Sequence, residues 1–76
     1  MRAPSATRYA EIIANIRPLA DFYRANKPDV ARIFIFDADY RALLIDPKKS
    51  ARFGFLLHGK QLRFAEFELR SDTDNG

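Results

Sequence analysis

Apolar and polar positions alternate with three different periods along the 76 residues. From Ser5 to about Ala25 the period is helical. Tyr9, Ile12, Ile13, Ile16, Leu19, Ala20 and Tyr23 recur at spacings of three and four, the apolar stripe of a helix lying on a core. Ser5 supplies an N-cap hydroxyl, and Arg8, Glu11, Asn15, Asp21 and Arg24 take the polar side. Pro18 removes a backbone donor and crowds the turn before it, which predicts a kink or break with the stripe preserved across it. Asn26 followed by Lys27-Pro28 is a stop signal, since Asn tolerates a left-handed cap and Pro cannot continue the helix.

From Val30 to Phe36 the period disappears. Ile33, Phe34, Ile35 and Phe36 are apolar in succession, which predicts a strand covered on both faces. Asp37 then caps a short helix through Ile45, with Asp39 in its first turn and Tyr40, Leu43 and Leu44 sharing a face. Asp46-Pro47 repeats the N-cap and N1 proline for a second short helix, and Gly54 stands where a C′ glycine ends it. The rival reading makes Tyr40–Asp46 a strand paired with Val30–Phe36 around an Asp-Ala-Asp turn.

Phe55 to Arg70 has the period of a hairpin turning at His58-Gly59. Apolar residues fall at Leu62 and Phe64 and then at Phe67 and Leu69. This change of phase predicts a β-bulge near Ala65-Glu66. Ser71–Gly76 lacks apolar residues and reads as a mobile tail. The expected fold is thus a single α+β domain over residues 1–70, ordered helix–strand–short helices–β-hairpin, with 71–76 as a disordered tail. The alternative is a helix plus a four-stranded antiparallel meander.

Composition is that of a globular chain, at 47% hydrophobic and 30% charged, with seven Phe and no Trp or Cys. Without cysteine there is no disulfide framework, thiolate metal site or cysteine nucleophile. No apolar run approaches the ~20 residues that cross a bilayer. Arg8 and Glu11 interrupt what would be a signal-peptide core, so a cytoplasmic location and no membrane contact are expected.

Three constellations carry candidate chemistry. Asp37 and Asp39 directly after a hydrophobic strand form the carboxylate pair with which phosphate enzymes hold Mg²⁺. Such chemistry needs further carboxylates and a basic residue, and capping accounts for both aspartates. His58 is the one histidine, placed at a turn, and Ser5, Ser50 and Ser71 sit in cap, helix and tail contexts. The three glycines form no phosphate loop. The expectation is therefore no enzyme, no catalytic or metal residue and no cofactor.

Net charge is +3. Lys48, Lys49 and Arg52 share one face of the second short helix, and Lys60 and Arg63 on the hairpin would extend it into a surface for nucleic acid or another acidic partner. The strand Ile33-Phe34-Ile35-Phe36 is too apolar for an uncovered sheet edge, so it is the candidate strand-pairing interface, with a second copy or a different protein. The expected function is a small non-enzymatic accessory protein acting by protein–protein contact, a type common among bacterial and phage or mobile-element proteins. The alternative is nucleic-acid binding through the basic face.

Overall fold

The computed structural model describes residues 2–74. Met1, Asn75 and Gly76, the last two from the expected tail, lie outside the described residues. The elements are α1 (Ala6–Asn26), β1 (Arg32–Ile35), α2 (Asp37–Ile45), α3 (Pro47–Arg52), β2 (Phe55–His58), β3 (Gln61–Phe64) and β4 (Phe67–Ser71). The fold is α+β, with one four-stranded mixed sheet in the order β1-β4-β3-β2. β1 runs parallel to β4, and the β2–β3 and β3–β4 pairs are antiparallel.

Local chemistry starts and stops the helices. The Ser5 hydroxyl accepts a hydrogen bond from the Arg8 amide at 3.1 Å, which satisfies one of the orphan donors of α1. α1 runs unbroken through Pro18. The expected break is absent because Pro18 lies on the exposed side, while Tyr9, Ile12, Ile16 and Ala20 stay buried along one stripe. Asn26 ends the helix without a left-handed cap: its side-chain amide donates to the Phe22 carbonyl, and the Lys27 amide closes on Tyr23 O at 2.7 Å. Asp46 caps α3 through the Lys49 amide at 3.1 Å, Pro47 opens it, and Gly54 at φ +94° follows its end.

α2 is a helix, which overturns the rival strand at Tyr40–Asp46. Its N-cap is Phe36 rather than Asp37. Asp37 sits one residue inside, and its amide is capped by Asp72 Oδ1 at 3.1 Å, a partner 35 residues away. A residue at N1 cannot reach its own helix's free donors, so the capping role passed to a side chain that the fold delivers.

No bulge is needed at Ala65-Glu66. The chain reverses there a second time, with Phe64 paired directly to Phe67 and Leu62 to Leu69. Residues directly opposite in an antiparallel pair share a face, so a two-residue loop alone accounts for the phase change. Ala65 takes φ +53°, a left-handed conformation unusual for a residue with a Cβ. The strand expected to be one bulged arm is therefore two strands, β3 and β4. The expected tail also begins later: Ser71 is buried in β4, and the Asp72 amide donates to Ile35 O at 2.8 Å.

One face of the sheet carries the core. Ile33, Ile35, Phe55, Leu62, Phe67 and Leu69 meet the α1 stripe and Leu43 of α2. Tyr9 stacks on Phe53 with ring centroids 4.3 Å apart and on Phe55 at 6.3 Å. Its hydroxyl lies 2.8 Å from Ser50 Oγ, which donates to the Leu43 carbonyl, so the buried polar atoms at the centre are satisfied. The opposite face is charged. Arg32 and Arg70 flank Glu68 at 3.5 and 3.6 Å, and Arg63 stands opposite Glu68 in the β3–β4 register.

Candidate functional site

β1 is an edge strand with one face buried and one open. Ile33 and Ile35 enter the core, whereas Phe34 and Phe36 are 52% and 65% exposed. The expected cover on both faces is absent, because α1 packs on the core side while α2 and α3 serve β4 and β2. In a parallel ladder, alternate residues of a strand bond to the neighbour. Ala31 and Ile35 direct their carbonyls to the Glu68 and Asp72 amides of the β4 side, at 2.9 and 2.8 Å. The peptide groups of Arg32 and Phe34 consequently face the open edge.

Beside this edge runs a groove of about 430 Å³. Its walls are Pro18 and Leu19 from α1 and Phe34 and Phe36 from the β1 segment, with Asp39 and Asp72 at one end. A second hollow continues past Phe34 to Tyr23 and Val30, so α1 lies antiparallel to β1. Leu19 is 39% and Phe22 43% exposed on the α1 flank that borders the groove. Four of the six exposed large apolar side chains among the described residues thus belong to α1 and the β1 segment; the other two, Leu56 and Leu57, are on β2.

Asp37 and Asp39 turn to different partners. Asp37 accepts from Ser71 Oγ at 2.7 Å and pairs with Arg41 Nε at 2.7 Å. Asp39 is buried and bound to Arg8 of α1, tying α2 to the helix that forms the groove wall. Asp37 is thus engaged by β4 and its own helix, and Asp39 by α1. Among the described residues no group of three or more His, Cys, Asp or Glu is placed to hold a metal.

Of the five basic residues expected to form a binding face, three are exposed and two make internal contacts. Lys48 and Arg52 are exposed on α3, and Lys60 is exposed at the β2–β3 turn. Lys49 is drawn inward, donating to the Pro4 carbonyl at 2.7 Å with its ammonium 5.9 Å from the Tyr9 ring centre. Arg63 is half-buried on β3 and donates to the Glu66 carbonyl at 3.2 Å. His58 ends β2 and is exposed. The most distinct electrostatic feature lies elsewhere: Arg24 grips Glu66 with two hydrogen bonds of 2.8 and 2.6 Å, which hold the Glu66 carboxyl down at about 2.

Of the segment singled out by sequence, Ile33 and Ile35 belong to the core and Phe34 and Phe36 to the surface. Leu19 and Phe22 join that surface and were not expected there. Phe22 carried a signal, as an aromatic residue lying off the apolar stripe of its own helix. No protein-family model matches the chain, and neither does a curated protein or a solved structure. Among the described residues no helix is long and apolar enough to cross a membrane.

Proposed function

We propose that this chain is a non-enzymatic binding protein that acts through protein–protein contact at the β1 edge. The observation that carries this is the coincidence of free strand-edge peptide groups with an apolar groove on the same side of the molecule. An extended segment of another polypeptide adds to β1 through main-chain hydrogen bonds. Its apolar side chains enter the groove against Leu19 and Phe36, and the exposed carboxylate of Asp72 favours a basic residue at one end. The nucleic-acid alternative draws less support, because Lys49 and Arg63 are committed to internal contacts.

Affinity capture from native-host cells tests the proposal when the wild type is run beside Phe34→Pro. The peptide nitrogen of Phe34 faces away from β4, so proline there removes an edge donor without taking a bond from the sheet. A polypeptide retained by the wild type and lost with Phe34→Pro is the expected result. Identical capture by the two proteins would overturn the reading.

A further inference from the structure

The β1 edge fits its own image. We infer that the strand it pairs with is β1 of a second copy, running antiparallel about a two-fold axis at Phe34 and making one continuous eight-stranded sheet. This rests on the reading of β1 as a binding edge and names the occupant.

Register follows from the backbone. Only Arg32 and Phe34 of β1 present peptide groups to the open side, so a symmetric antiparallel partner must align even-numbered residues with even-numbered ones. With Phe34 opposite the second copy's Phe34, Arg32 falls opposite Phe36. The Ile35–Ser71 register sets Asp72 alongside Phe36. Each copy thus brings Arg32, whose exposed guanidinium also pairs with Glu68 at 3.5 Å, towards the phenyl face of Phe36 and the exposed carboxylate of Asp72 in the other, a contact made twice across the axis.

Side chains agree with this placement. α1 lies antiparallel to β1 with Leu19 beside Phe34, so the same rotation brings the two α1 flanks together above the joined strands. Leu19 and Phe22, exposed in the monomer, are the α1 side chains that a second sheet edge would cover. Leu19, Phe34 and Phe36 line one groove beside the edge, and Phe22 is exposed about one helical turn further along the same flank of α1. A small domain, which by itself buries a modest share of its chain, gains most from such added burial. The rotation is closed, because β1 meets β1, and assembly stops at two.

The chain contains no cysteine, so a single introduced thiol reports on this geometry alone. Residues in a hydrogen-bonded antiparallel pair have Cα atoms about 5.5 Å apart, within disulfide reach. Phe34→Cys is expected to cross-link to a covalent dimer under air oxidation at least tenfold faster than Leu56→Cys, which places the thiol on the other edge of the sheet. Light scattering of the unmodified protein should give twice 8.8 kDa at high micromolar concentration, and Phe34→Pro should halve it. The double variant Leu19→Lys with Phe22→Glu disrupts the same contact from α1 and covers the case in which proline unfolds the chain. The proposal is overturned if the wild type stays at 8.8 kDa throughout, or if the two cysteine variants cross-link at equal rates. A monomeric wild type that still captures a Phe34-dependent polypeptide would sink the second copy as occupant and leave the binding edge standing.

Discussion

The two edges of this sheet differ in what stands beside them. β1 is bordered by an apolar groove and by Leu19 and Phe22 of α1. β2 also exposes leucines, Leu56 and Leu57, but its neighbour is α3 with the exposed cations Lys48 and Arg52, and its hairpin turn carries Lys60. Lysine and arginine around a strand edge discourage pairing, since a partner strand would strip their water. An exposed apolar strand is thus not enough to define a contact surface; the flanking element decides. The basic residues acquire a purpose in this comparison that needs no nucleic acid. On the proposed use of β1, they would oppose a meeting of β2 with β1 of another molecule, a head-to-tail contact that propagates into fibres.

Truncation of the core residue under each edge should have the largest effect. Phe55 of β2 and Ile33 of β1 are both fully buried. Phe55→Ala should cost about 3–5 kcal/mol and Ile33→Ala about 2–5 kcal/mol in urea unfolding. Equal losses would show that the two edges share one cooperative core. A much smaller loss at Ile33 would mean that β1 opens independently, which would weaken its role as a rigid template.

Removal of the guarding charges tests the comparison directly. Replacing Lys48, Arg52 and Lys60 together by Gln should leave the fold intact and produce species larger than a dimer in light scattering. An unchanged mass would show that β2 is protected by something other than charge.

Ala65→Gly should stabilise the chain by about 0.5–1 kcal/mol, because glycine adopts the positive φ of that turn without a Cβ clash. Thermal unfolding would detect it. The turn sets β4 between β3 and β1, so the gain should reach both edges alike.

The smallest effect concerns Glu66, whose carboxyl is lowered from 4.5 to about 2 by its hydrogen bonds to Arg24. A group with a depressed native value stabilises the fold above its unfolded value and loses that contribution as pH falls. Glu66→Gln should therefore lower the melting temperature slightly at pH 7 and leave it unchanged near pH 2. A deficit that persists at pH 2 would indicate packing, including the Arg24–Phe67 contact, rather than charge.

The elements that local chemistry specifies were legible in the sequence. Ser5, Asp46-Pro47 and Gly54 do what their types and spacing imply, because a cap needs only atoms within one helical turn. The misreadings share a cause in long-range delivery. Asp72 reaches α2 only after the sheet forms, so the sequence around Asp37 carries no trace of it. The turn at Ala65-Glu66 lacks Gly and Asn, although the mirror spacing of Leu62, Phe64, Phe67 and Leu69 about it is a hairpin's pattern. The apolar run at Ile33–Phe36 was visible, but periodicity cannot distinguish a strand covered on both faces from one with a sticky face exposed. Only the position of α1 separates the two.

The parallel pairing of β1 with β4 also has a consequence for biosynthesis. Its partners, Arg32 with Glu68 through Ile35 with Ser71, are 36 residues apart. A ribosome adding 5–20 residues per second takes about 2–7 s to cover that distance. Throughout that interval Ile33-Phe34-Ile35-Phe36 has emerged before its sheet neighbour exists, with both edges bare and a composition favourable to aggregation. Of the described elements that precede it, α1 is the one that packs on its core face. Substitutions that weaken Ser5 capping or the Tyr9–Ile12–Ile16 stripe should therefore reduce soluble yield by more than their effect on the finished protein's stability, and slower translation of residues 37–67 should deepen that loss.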